Sequence, residues 1–149
     1  YMRKIHPDII EKATKGDLEA LYQLGFAYYT GRGKEIDLEK AVACFKQAAS
    51  QNHPKSIQAL GVCYANGDGV TKDLQKAVFW YRKGAHLNFA SSLYNLALCY
   101  YRGEGVKQDE QQARQLMEQA ALTDKDAKRF MEKVYGVKNK KTFWSWRKK

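Results

Sequence analysis

The side chains best suited to chemistry in this sequence are three histidines, His6, His53 and His86, and three cysteines, Cys44, Cys63 and Cys99. An imidazole beside a thiol makes a nucleophile–base pair, and clustered Cys and His hold zinc. The spacing offers neither, because the histidines fall at unrelated positions and no C-x-x-C pair occurs. His86 stands where a helix should end, and an imidazole there interacts favourably with the helix dipole. No H-E-x-x-H, G-x-S-x-G or phosphate loop is present. Gly31-Arg32-Gly33 lacks both the G-K-[ST] continuation and the strand that phosphate cradling requires. No catalytic residue, metal ligand or cofactor is expected, and the chain reads as a non-enzyme. An odd number of cysteines argues against a disulfide framework and leans toward a reducing compartment such as the cytoplasm. A leader removed ahead of Tyr1 would leave the periplasm or secretion open. Cys63 and Cys99 read as small buried hydrophobes.

What remains is recognition chemistry, and its residues recur. A shift of 36 lays Leu24-Gly25-Phe26-Ala27-Tyr28 over Leu60-Gly61-Val62-Cys63-Tyr64 and over Leu96-Ala97-Leu98-Cys99-Tyr100. The same shift relates Gly31, Gly67 and Gly103, then Gly33, Gly69 and Gly105, then Asp37, Asp73 and Asp109, then Ala41, Ala77 and Ala113. Periods of roughly 20–50 residues signal stacked supersecondary units. Each unit reads as two helices. Leu21, Leu24 and Tyr28 form one stripe at helical spacing. Glycine inside a helix costs roughly 1 kcal/mol, so a recurring small residue at 25, 61 and 97 points to a closely approaching helix. The Gly-x-Gly pair stops the first helix, and Asp37, Asp73 and Asp109 stand where N-caps of the second would be. Ala41, Phe45, Ala48 and Ala49, like Ala77, Tyr81, Gly84 and Ala85, make the packing face of that second helix.

The ends deviate as terminal repeats should. Residues 7–15 read as an N-terminal cap helix, with Ile9 and Ala13 at the positions of Phe45 and Ala49. Residues 126–135 read as a C-terminal cap helix with Ala127, Phe130, Met131 and Val134 inward and Arg129 and Glu132 in water. The predicted organisation is one domain, 1–136, with repeats at about 18–53, 54–89 and 90–125, followed by a basic aromatic tail, 137–149. The 149 residues suffice for a core without staples, and no apolar run approaches the ~18 residues of a membrane span. Charge is unevenly placed. Residues 128–149 hold nine Lys/Arg against one acid, whereas 1–127 hold seventeen against fifteen, so the formal net charge of +10 belongs mostly to the C-terminal end.

The middle unit, with Leu60, Gly61, Tyr64, Gly67, Gly69, Val70, Asp73, Lys76, Ala77, Trp80, Tyr81, Lys83 and Ala85, resembles the Sel-1-like repeat, a relative of the tetratricopeptide repeat. The first unit departs at the counterpart of Val70 and has Cys44-Phe45 for Trp80-Tyr81; the third has Leu116-Met117 there. The resemblance covers about 18–123. It implies an all-α fold, a right-handed α/α superhelical solenoid of three 36-residue helix hairpins with helical caps at both ends. It also implies an adaptor or scaffold that binds a partner protein or peptide. Bacterial members of the family serve secretion, envelope and host-interaction systems, and some are immunity proteins that occlude a secreted toxin.

Carried over from tetratricopeptide geometry, the concave face should hold the non-repeating positions of the first helices. The candidate partner-binding residues are Tyr22, Phe26, Tyr29, Gln58, Asn66, Tyr94, Tyr101 and Arg102. Tyrosine brings large area, few rotatable bonds and one polar handle. The competing reading is that these aromatics only finish the core. Clamping of a C-terminal carboxylate is disfavoured, since that clamp uses Asn where Phe26, Val62 and Leu98 stand. In the tail, Lys140, Lys141, Phe143, Trp144, Trp146 and Arg147 mix cations with rings. They could lid the last helix pair, meet a partner protein, sit at a membrane surface, or stack on nucleic-acid bases. Nucleic acid is disfavoured for the body, whose charge is nearly balanced.

Overall fold

The computed structural model describes residues 4–137, which contain eight helices and no strand. They are α1 (Pro7–Thr14), α2 (Leu18–Thr30), α3 (Leu38–Ala49), α4 (Pro54–Asn66), α5 (Leu74–His86), α6 (Ala90–Arg102), α7 (Glu110–Ala120) and α8 (Lys125–Tyr135). Extensive packing joins only consecutive helices, the signature of a solenoid. The chain is an all-α solenoid in which α2–α3, α4–α5 and α6–α7 are the repeated hairpins.

The recurrent residues have local causes. Asp37, Asp73 and Asp109 cap the second helices: their carboxylates accept from the amides of Lys40, Lys76 and Gln112 at 3.0, 3.0 and 3.1 Å. Their own amides donate back to the carbonyls of Tyr28, Tyr64 and Tyr100 at 2.9–3.0 Å, which ties each loop to the end of the first helix. The position shared by Gly25, Gly61 and Ala97 faces the second helix of the same hairpin. A Cβ on Gly25 would stand 2.7 Å from a Phe45 ring carbon, and one on Gly61 would stand 2.5 Å from a Tyr81 ring carbon. In the third repeat the ring is replaced by Met117, a pliable side chain, and the opposing residue is Ala97. Small faces ring, and methyl faces thioether.

The first-helix tyrosines carry a second periodic interaction. Lys40 lies over Tyr28 at 5.7 Å and Lys76 over Tyr64 at 5.5 Å, each a cation from the partner helix of the same hairpin. Lys46 over Tyr64 at 6.0 Å and Arg82 over Tyr100 at 5.9 Å come from the preceding hairpin. Arg82 also donates to the Tyr100 hydroxyl at 2.8 Å. Tyr64 thus takes cations from both its own hairpin and the preceding one, whereas Tyr28 takes them only from its own and Tyr100 only from the preceding one.

At the C-terminal end the expected inward stripe is corrected at one position. Ala127 and Met131 are buried and Phe130 is half-buried, but Val134 is 41% exposed. Val137 takes the inward role instead: it is buried just beyond the left-handed turn at Gly136, and its amide meets the Met131 carbonyl at 3.3 Å. Arg129 and Glu132 face water, as read from the sequence. In the second repeat Ala85 is only half-buried, while Ala49 and Ala121 are buried.

Candidate functional site

The first helices α2, α4 and α6 repeat every 36 residues, so their equivalent side chains form rows across one face of the stack. At the N-terminal end of that face Tyr22 is half-buried against the Phe45 ring at 6.0 Å and the His53 ring at 5.8 Å. Phe26, one turn on, is 39% exposed, 6.1 Å from Tyr22, with the Arg32 guanidinium 5.9 Å from its centroid. Lys55 lies over the other aromatic, Tyr22, at 5.7 Å. These two rings form a cation-edged aromatic step.

Histidine 53 has a role that sequence reading left unassigned. It is the N-cap of α4, standing 36 residues after Asp17, the N-cap of α2. Its Nδ1 lies 2.8 Å from the Ser56 hydroxyl and its Nε2 lies 3.1 Å from a Glu19 carboxylate oxygen. With the proton on Nε2, the ring donates to Glu19 and accepts from Ser56, satisfying all three groups. Burial opposes ionisation of Glu19, but the His53 hydrogen bond and the Lys55 ammonium outweigh it and hold the carboxyl below its ordinary range. The signal for His53 was its register with Asp17, not its residue type.

Farther along, Tyr29 donates to the Asp68 carboxylate at 2.7 Å across the boundary between the first two repeats. That bond, with burial, pushes the hydroxyl up to about 12, so it remains a donor. Asn66 also approaches Asp68, at 3.4 Å. Gln58 is engaged by the Ser92 hydroxyl, which donates to its side-chain oxygen at 2.9 Å and thereby satisfies a fully buried serine. At the C-terminal end Tyr94 is half-buried, with burial raising its hydroxyl, and Tyr101 stands edge-on to Phe130 of α8 at 5.3 Å.

Between α4 and α6 lies a cavity of about 420 Å³, whose lining includes Val62, Asn66, Leu98, Arg102, Lys72 and Glu104. Arg102 and Lys72 form no ion pair within 4 Å among the described residues. The structure therefore brings Asn66 and Arg102 into one groove and Tyr22 and Phe26 into one aromatic step. It commits Gln58 to an internal bond and sets Tyr101 against the cap helix. Lys140, Lys141, Phe143, Trp144, Trp146 and Arg147 lie outside the described residues.

Chemically the face offers rings, amides, the cations of Arg102 and Lys72, and the Glu104 carboxylate. Among the described residues no group of three or more Cys, His, Asp or Glu could hold a metal ion, and no helix is long and apolar enough to cross a membrane. Cys63 and Cys99 are buried free thiols whose pKa burial pushes up to about 11.

The sequence matches the Sel1 repeat over residues 18–53, 54–89 and 90–122. Among solved structures it is similar to a Sel1 repeat protein from Oxalobacter formigenes, 32% identical with a TM-score of 0.74, over 84% of this chain and 95% of that one. It is also similar to a protective antigen of uropathogenic Escherichia coli strains that displays the SLR fold, 33% identical with a TM-score of 0.77, over 80% of this chain but 26% of that one. Cysteine-rich protein B of Helicobacter pylori is 27% identical, with a TM-score of 0.67 over 83% of this chain and 94% of that one. No curated protein matches.

Proposed function

We propose, from the premise that this chain belongs to the Sel1-repeat family, that it is a non-catalytic adaptor which binds a partner protein or peptide on the face of its first helices. Sel1 repeats generally mediate protein–protein interaction. The observation that carries the reading to this face is the pairing of an aromatic step, half-buried Tyr22 and exposed Phe26, with a groove edged by Arg102 and Lys72. An extended segment laid along the face meets rings for its apolar side chains and cations and amides for its carboxylates or carbonyls.

The test uses two exposed members, so that fold and binding separate. Phe26→Ala with Arg102→Ala should weaken capture of a partner by the immobilised full chain about tenfold or more, a typical loss for two anchor residues. The helical melting curve should barely move, because neither side chain is buried. Tyr22→Ala with Tyr94→Ala should also weaken capture. If capture instead persists in the Phe26/Arg102 variant while its melting curve is unchanged, the face is wrong.

A further inference from the structure

Helix α5 is chemically unlike the second helices on either side of it. It carries Lys76, Arg82, Lys83 and His86 and no carboxylate, whereas α3 carries Glu39 and α7 carries Glu110 and Glu118. Its buried stripe is Ala77, Val78, Tyr81 and Gly84. The opposite stripe, Gln75, Phe79, Arg82 and His86, is exposed. Phe79 is 52% exposed, at a position filled by Ala43 in the first repeat and Gln115 in the third. The solenoid therefore does not require a ring there. Phe79 stands edge-on to half-buried Trp80, centroids 5.3 Å apart, and the Lys83 ammonium lies 5.2 and 5.0 Å from the two ring centres. Lys76, Arg82 and Lys83 face no carboxylate within 4 Å among the described residues.

We infer that the outer side of α5 is a second docking surface, for an acidic segment of a partner protein that seats an apolar side chain on Phe79 and Trp80 and pairs its carboxylates with Lys76, Arg82 and Lys83. Charge selects this occupant. A second copy placed α5 against α5 sets cations on cations. The chain's own C-terminal stretch, 138–149, holds six Lys/Arg and no acid, so its charge has the same sign as this surface and does not complement it. Nucleic acid is favoured by a field that spans many phosphates, but residues 1–127 carry only two more bases than acids, and the α7 side chains that share a groove with Arg82 and His86 include the uncharged Gln112 and Gln119. A short acidic segment with one apolar anchor needs only the ring pair and the few cations around it. The surface is separate from the first-helix face and does not depend on it.

The experiment titrates the full chain into short fluorescein-labelled peptides at about 0.15 M salt, where exposed charges are screened beyond roughly 8 Å. One peptide is Asp/Glu-rich with a central Leu-Phe pair, one keeps the acids but has Ser-Gly in the centre, and one is the Lys-rich counterpart. The acidic apolar peptide should bind, the Ser-Gly peptide should bind much more weakly, and the basic one not at all. Phe79→Ala and Phe79→Gln install residues that other repeats already hold, so both should fold. Each should weaken binding about tenfold, as should Lys76→Gln with Lys83→Gln. Tyr22→Ala with Tyr94→Ala should leave it unchanged, which separates this surface from the first-helix face. The inference is overturned by no saturation up to millimolar peptide, or by equal binding to the Phe79 variants. Tighter Phe79-dependent binding of an oligothymidylate, or Phe79-dependent self-association in sedimentation, overturns it equally.

Discussion

At the scale of single residues, the cysteines show how burial decides chemistry. Only the thiolate reacts, and a thiol whose pKa is about 11 is ionised at pH 8 in only about one molecule in a thousand. Burial is the main cause for both Cys63 and Cys99, with the Asp68 and Glu104 carboxylates adding to it and Arg102 opposing it at Cys99. Cys44 is half-buried, and burial raises its pKa too, against the nearby Lys34 ammonium. A disulfide reagent at pH 8 should therefore label Cys44 first and reach Cys63 and Cys99 only slowly, with all three titrating at once in guanidinium. Fast labelling of Cys63 or Cys99 in the folded chain would mean that the core between repeats opens readily. The sign of the linkage follows. A thiol that holds its proton more tightly when folded stabilises the fold below the ordinary thiol pKa, and that contribution is lost as pH rises toward about 11.

At the scale of helices, the small residue opposite the ring is the contact that sets hairpin spacing. Gly61→Ala gains up to about 1 kcal/mol of helix propensity, but its methyl meets the Tyr81 ring at 2.5 Å, and the ring is packed in the core. Overpacking of this kind costs typically 1–3 kcal/mol, so the net effect should be destabilising. The third repeat already contains the remedy, Ala97 opposite Met117. Gly61→Ala with Tyr81→Met should therefore be more stable than the sum of the two single changes predicts, by about 1 kcal/mol in a denaturation cycle. Additivity would show that the two positions do not touch. The close approach was legible in the sequence because a small residue recurs at 25, 61 and 97; the ring that it meets was supplied by the structure. The hydrogen bonds between repeats were not, because each occurs once. Tyr29 meets Asp68, but the same positions one repeat later hold Ala65 and Glu104, which cannot form that bond. Ser92 is satisfied by Gln58, whereas Ser56 would face Tyr22 and turns to His53 instead. His53 in turn is replaced by Phe89 in the next repeat, so α6 starts without a side-chain cap. A contact that breaks the period leaves no periodic trace.

At the scale of the whole molecule, stability depends on how strongly neighbouring hairpins are coupled, because a hairpin alone cannot cover its apolar side. The two glycines of the third loop separate local from collective effects. Gly103 and Gly105 both have positive φ, 70° and 72°, so an alanine at either is strained to a similar degree. Their surroundings differ. A Cβ on Gly103 would meet its own loop, 3.2 Å from the Cβ of Gln108. A Cβ on Gly105 would run into the Leu74 carbonyl and come within 3.0 Å of a Val78 methyl, both on α5 of the preceding hairpin. Backbone cannot step aside as a side-chain tip can. Gly103→Ala should cost about 1–2 kcal/mol, the usual strain of a left-handed alanine, and leave one cooperative transition. Gly105→Ala should cost more and push the third hairpin off the second. Its urea transition should then broaden or split, and amide exchange should accelerate in α6 and α7 before α3 and α4, since each repeat touches only its neighbours. Equal losses and equally sharp transitions for the two variants would show that the loop only turns the chain, and that the hairpins are coupled through their helices alone.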